Sequence, residues 1–475
     1  MNIPLVVICL LLLLHRAYPI DYVSMWQLGI CMLVYMLMRI LPKRYLYWVL
    51  GGIALAGWIE GCMVVLEYTH CSPGIPRYLV TAIFSNSGAQ GGWLAISLLA
   101  AVALLCKSWK NKVNMGAVLW TVVAIGIVCG LILTESRAGW VAAVVGLLYV
   151  GSKLYPSMSL YKKGVVCLFV VIFIVVLYSL RPDSAIGRLF IWQRTWEMIT
   201  DYPLLGTGTG GWLANYMYYQ AEYFAAHPDS SYIAVADNVF YPYNEFLHLM
   251  AEQGLIGLSC LLLLLYSLLG GKTDDKTSEV ILKSLLIAFI AFSCFSYPAS
   301  VFRLQLLFAC IIGLMKEQTL NIVFPQKVMG IFVVLLMTVL ITMKEENFRY
   351  SPRQLFYQAQ ELSSQKYPAD DALQVLEDVA HVVPTCELYC DMGDLWMRQG
   401  DFEQAKKCYQ MAGTMIPGRL TPNYKLFLLY IKLNDTESAI CMGEKILKQP
   451  IKKEGSKTIR MQTEVMQYMS KVKND

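Results

Sequence analysis

Seven stretches of nearly continuous apolar residues, each close to twenty long, decide what this chain can fold into: 22–41, 46–66, 115–134, 163–180, 254–269, 280–296 and 327–343. A helix of that length crosses a hydrocarbon core of about 30 Å. Four shorter runs, 3–14, 90–106, 137–153 and 302–315, bring the expected number of spans to about eleven. No small-residue cleavage site follows Leu14, so the first run reads as a retained span rather than a signal peptide. With 57% hydrophobic and 15% charged residues, the chain is expected to be an all-α, polytopic membrane protein. Its net charge of +5 is mild and gives no indication of nucleic acid as a partner.

Lysine and arginine set the orientation, because cytoplasmic loops are enriched in them. Arg39, Lys43 and Arg44, then Lys107, Lys110 and Lys112, then Lys153 and Lys276, mark alternate loops as internal. The N-terminus is then inside. The 67–90 loop, the 181–243 loop and everything after residue 343 lie outside, and Arg137, Arg181, Arg188, Arg194 and Arg303 all face that side. Most of the 14 cysteines fall in apolar runs, where they act as small hydrophobes. Cys386 and Cys390 stand one helical turn apart, with no second pair and no histidine spacing to suggest zinc.

After Met343 the composition turns charged and helical, so the chain divides into a membrane domain over 1–345 and a soluble unit over 351–475. The soluble unit repeats with a period of about 34 residues and reads as tetratricopeptide-like. The clearest copy covers 386–419, with Tyr389, Gly393, Trp396, Gly400, Phe402, Ala405, Tyr409, Ala412 and Pro417 in place. Ala372 and Pro384 mark a weaker copy before it, Tyr430 and Ala439 one after it. Such a unit either docks a partner protein or serves as a folded appendage.

Chemistry has few candidates in so apolar a chain. Arg137, in Thr134-Glu135-Ser136-Arg137-Ala138-Gly139-Trp140, interrupts two apolar runs, and at that depth it needs an anion, a carboxylate or water. Its planar fork suits a diphosphate; pairing with Glu135 or snorkelling to the headgroups is the alternative. Arg188 and Arg194 sit in an amphipathic helix whose Leu189, Trp192, Trp196 and Ile199 share a face, as expected of a helix lying in the outer interface. The glycines of Leu205-Gly206-Thr207-Gly208-Thr209-Gly210-Gly211 read as a tight turn back to the membrane, with exposed N–H groups near a phosphate as a second possibility. Pro242 is expected to open a helix whose first turn holds Tyr243 and Asn244, so that its free N–H groups face an anion. Glu245 and His248 follow on that helix. Asn86 either contacts substrate or caps the helix after it. His227 and Asp237 are too sparse to suggest a metal.

Ser136-Arg137-Ala138-Gly139-Trp140, Gly187-Arg188-Leu189-Phe190-Ile191-Trp192 and Tyr243-Asn244-Glu245-Phe246-Leu247, with Gly254 and Gly257, resemble the O-antigen ligase and polymerase family over roughly residues 80–315. Phe84-Ser85-Asn86-Ser87-Gly88 is similar to the family's Phe-x-Asn-Pro segment, without the proline. The family signature is His, then Asn, Ser or Gln, nine residues, Gly, two residues and Gly; here Tyr243 replaces the His. The resemblance implies a glycosyltransferase of the C-type architecture in the bacterial inner membrane. It would transfer a glycan from an undecaprenyl diphosphate carrier to an acceptor hydroxyl outside the membrane, inverting the anomeric carbon without a metal or other cofactor. Arg137 and Arg188, with Arg194 and Arg303, would hold the leaving diphosphate. Tyr243 and Asn244 would handle the acceptor, with Glu245, His248 and Asn86 as further contacts. Tyr243 positions the acceptor or acts as an arginine-activated base, or His248 or Glu245 takes over, or activity is lost. The acceptor is a growing glycan, a lipid A core or a protein; a non-catalytic scaffold is the reading from another class.

Overall fold

The computed structural model describes residues 8, 12, 14–15, 22–70, 84, 86–154, 182–271, 275–315, 369–449 and 455–474. The expected spans 163–180 and 327–343, most of 3–14, and Arg181 lie outside the described residues. Eight helices cover the remaining expected spans: α1 (Tyr22–Ile40), α2 (Leu46–His70), α3 (Ser87–Lys110), α4 (Asn114–Leu133), α5 (Arg137–Leu154), α8 (Glu245–Gly270), α9 (Lys276–Ser293) and α10 (Phe302–Leu314). Between α5 and α8 run α6 (Pro182–Asp201) and α7 (Gly211–Ala226). The tail holds α11 (Ala369–Val382), α12 (Cys386–Gln399), α13 (Phe402–Met415), α14 (Leu420–Lys432), α15 (Thr436–Lys448) and α16 (Ser456–Asn474). Four helices, Lys43–His70, Ser87–Lys110, Asn114–Leu133 and Glu245–Gly270, are long and apolar enough to cross a membrane. Among the described residues there is no strand.

The bundle is organised around α3, whose apolar window is 83% buried, whereas that of α4 is 28% buried and exposes Val118, Val122 and Ile125 in a stripe. Apolar surface gains nothing by leaving lipid for another apolar helix, so close backbone approach has to hold the core together. Glycines supply it. A Cβ on Gly139 of α5 would lie 2.6 Å from the backbone of Gly91 in α3, and one on Gly130 of α4 would lie 2.6 Å from Gly61 Cα in α2. A polar pair lies in this interior: Gln90 Nε2 donates to Glu60 Oε1 at 3.1 Å, joining α3 to α2. A buried carboxylate in a span is costly without such a partner.

Two expected boundaries move, each for a capping reason. Asn86 accepts from Gly88 N (2.6 Å) and starts α3 at Ser87, ahead of the expected 90. Asn244 accepts from Phe246 N (3.0 Å) and Leu247 N (3.1 Å) and starts α8 at Glu245, later than the opening expected at Pro242.

The expected face of α6 is split. Ile199 and Trp192 turn inward, Trp192 donating its indole N–H to Pro242 O at 2.9 Å, while Ile186, Leu189 and Trp196 stay exposed. The cause is α7: buried Trp212 stacks on Tyr216 and donates to Thr195 Oγ1 at 2.9 Å, drawing Thr195, Met198 and Ile199 into a core.

In the tail, capping devices recur every 34 positions. Left-handed Gly400 precedes the cap Asp401, and left-handed Asn434 precedes the cap Asp435; buried Ala405 and Ala439 follow at equal distance. A Cβ on Gly393 would meet Tyr409 Cε1 at 2.4 Å, so α12 and α13 touch where the sequence pattern requires a small residue.

Candidate functional site

The site forms where the ends of α5, α6 and α8 meet the connection between α9 and α10. Ser136 makes the local structure of the first contributor. Its Oγ accepts from Gly139 N (3.2 Å) and donates to Gly88 O (3.1 Å), so it caps α5 and ties it to α3. Arg137 is therefore the first residue of α5, preceded by Glu135 at φ +51°. Arg137 Nη2 donates to Ser184 Oγ at 2.8 Å, which brings α5 against the start of α6.

Arg188 lies one helical turn further along α6. Its guanidinium sits 5.1 Å from the Tyr243 ring centroid and donates to Phe295 O at 3.1 Å. Burial holds Arg188 below the ordinary arginine value, and Arg137 acts in the same direction; Tyr243 and Tyr297 oppose them. Two guanidinium groups from separate helices thus share one partly desolvated place, an arrangement that a dianionic ligand would stabilise.

Tyr243 is outside the helix rather than in its first turn, at φ +54°. That backbone region is uncommon for a bulky side chain and costs on the order of 1–3 kcal/mol. The strain is held by neighbours: the ring meets Tyr297 edge-on at 5.6 Å, and Tyr297 stacks on Tyr241 at 4.0 Å. Asn244 takes the Phe246 and Leu247 N–H groups for itself, so these two are not open to a phosphate. Asn244→Ala is expected to cost about 1 kcal/mol, as loss of a cap does. Thermal unfolding in detergent checks this.

The other candidates separate. Arg194 pairs with Glu197 at 2.6 Å and lies 4.2 Å over the Tyr223 ring, around the helix from Arg188; its Nε is buried without a partner among the described residues. The structure does not bring it to the Arg137–Arg188 pair, because six residues along α6 turn a side chain to a different face. Arg303 is buried in α10 against the Phe84 ring at 4.9 Å. Asn86 serves as a cap. His227 stacks on Tyr223 and Asp237 pairs with Arg419, so they take separate partners.

His248 lies between Glu245 Oε1 at 3.5 Å and Glu252 Oε1 at 3.3 Å, edge-on to Trp212. Glu245 Oε2 is buried and has no hydrogen-bond partner among the described residues. It is an acceptor in want of a donor.

The glycine turn has a different task from phosphate binding. Helix α8 breaks at Gly254 (φ +61°, ψ −164°), and the turn splints the break. Thr207 N donates to Ala251 O and Gly208 N to Glu252 O, while Leu255 N and Ile256 N donate to Pro203 O and Leu204 O. Gly210 N donates to Glu252 Oε1 at 2.9 Å, and Thr209 N to His15 O at 3.0 Å. These N–H groups are committed.

Residues 122–262 match the family model Wzy_C, O-Antigen ligase. That segment holds Arg137, Arg188, Tyr243, Asn244 and Gly254, and leaves Asn86 and Arg303 outside it. No curated protein matches the chain. The match supports the O-antigen ligase family and a glycosyl-transferring enzyme, and with the apolar helices it indicates a membrane protein of polysaccharide biosynthesis. Tyr241, Ser184, Phe295 and Tyr297 complete the site and were not singled out in the sequence. For the two tyrosines the signal was modest: an aromatic beside proline in Tyr241-Pro242 and Tyr297-Pro298.

Proposed function

We propose that the protein transfers a glycan from an undecaprenyl diphosphate carrier to an acceptor hydroxyl on the outer face of the bacterial inner membrane. The observation that carries this is the convergence of Arg137 and Arg188, from two helices, within the segment matching the ligase model. The acceptor oxygen attacks the anomeric carbon from the face opposite the carrier. The bond to the diphosphate oxygen breaks, and its electron pair leaves with undecaprenyl diphosphate, whose charge the arginine pair meets without requiring a metal. The acceptor proton passes to Glu245, whose Oε2 lacks a donor, while Tyr243, fixed under Arg188, positions the acceptor. This makes the His-to-Tyr exchange compatible with activity. About eleven spans, an external 181–243 loop and an external tetratricopeptide-like tail complete the proposal; the 34-residue capping period supports the repeat character of that tail. The acceptor is a saccharide or lipid A core, with protein as the alternative.

A deletion strain complemented with wild-type or Arg137→Ala protein tests the reading through its surface and lipid-linked glycans. Collapse of long chains to single units is the polymerase result, and full-length chains stranded on the carrier the ligase or protein-transferase result. Unchanged pools at normal protein abundance would contradict transfer.

A further inference from the structure

The tail is docked on the loop that carries the site. Helices α12 and α13 contribute Cys386, Ala412 and Met415 to the core formed by α6, α7 and Ala251 of α8, and Tyr243 and Trp192 pack against that same core. Its polar contacts are specific. Gln220 of α7, fully buried, donates to Met415 O at 2.7 Å, and the hydroxyls of Tyr218 and Tyr389 meet at 2.9 Å. Asn238 accepts from Cys386 N at 3.2 Å and donates to Glu387. Arg419, at the start of α14, bridges Asp237 at 2.6 Å and Glu387, so one guanidinium fastens the loop and the tail together.

From Asp237 the chain reaches Tyr243 in six residues, and Pro242 is pinned by Trp192. A segment so short transmits the position of its anchored end to a strained residue at the other. We propose that the tail is a clamp in cis on the transfer site, with Arg419 its positioning residue. The clamp holds 237–243 so that Tyr243 stays under Arg188. This rests on the transfer reading above. The tail surface formed by α12 and α13 is then occupied by the chain's own loop, and tail movement becomes a means of regulating transfer.

The test uses full-length protein carrying Arg419→Glu, and the reversed set Arg419→Glu, Asp237→Lys, Glu387→Lys. In lipid nanodiscs, amide exchange over 228–243 should quicken by about tenfold in Arg419→Glu while 420–449 stays protected, showing that the tail remains folded. In complemented cells the glycan product should fall by roughly fivefold or more, and the reversed set should restore both. Faster exchange with unchanged product, or unchanged exchange, overturns the clamp. Normal product from Arg137→Ala overturns the transfer reading and with it the clamp's part in catalysis, whereas an active Arg419→Glu beside a dead Arg137→Ala sinks the clamp alone.

Discussion

Replacing Arg188 with Ala is expected to lower transfer by about 10²–10³-fold, the size of effect seen when one fixed donor to a developing negative charge is removed. In the proposed reaction the leaving diphosphate gains charge as its bond to the sugar breaks, and Arg188 would face that charge from a partly desolvated position beside Arg137. Arg188→Lys keeps the charge but loses the fork, the contact to Phe295 O and the stacking over Tyr243, so it should recover only part of the activity. Arg194→Ala is the informative control. Its partner is Glu197 and its bed is Tyr223, away from the Arg137–Arg188 pair, so rates should stay within about threefold of wild type. Initial rates with purified lipid-linked glycan would show the division between the two arginines, and equal losses would contradict it.

Gly254→Ala should remove folded protein rather than activity alone. At φ +61° and ψ −164° the residue occupies a region nearly closed to side chains, and a Cβ would lie 2.2 Å from Leu204 O. The neighbour is backbone, itself bonded across the break, so it cannot move aside without losing the contacts of Leu255 and Ile256 to the turn. Gly206, at φ +73°, is enclosed in the same way by Glu252. The expected cost is about 3 kcal/mol or more, strain and overpacking together. Thermal unfolding and size exclusion in detergent read it; a melting point and elution profile like wild type's would contradict the splint. The break also aims the first turns of α8, with Glu245 and His248, independently of the membrane half, so a partly folded variant should still lose transfer.

What could be read in the sequence divides along local and long-range lines. Apolar runs located the helices, and Arg137 could be placed at the break between two of them because that signal is local; the Ser136 cap and the Trp140 bond to Leu131 O at 2.8 Å emerged only in the structure. The small residues of the tail, Ala405 and Ala439, were legible for the same reason, since they recur along the chain. Gly254 held its motif position, yet its purpose depends on a turn some fifty residues earlier in the chain, which no periodicity reveals. Arg188 and Arg194 looked alike on one amphipathic helix; only Tyr223 and Glu197 on one side, and Tyr243 on the other, tell them apart. Asn244 was placed inside the helix because Pro242 suggested an earlier start, whereas the side chain of Asn244 itself fixed the start at Glu245.

The measurement that bears most directly on the account is binding of undecaprenyl diphosphate to the purified protein in nanodiscs, wild type against Arg137→Ala, Arg188→Ala and Arg194→Ala. Affinity should fall by at least about 30-fold for each of the first two, as when one partner of a desolvated charge contact is truncated, and stay near wild type for the third. Undiminished binding by the Arg137 and Arg188 variants, or a loss confined to Arg194→Ala, would contradict the assignment of that pair to the carrier.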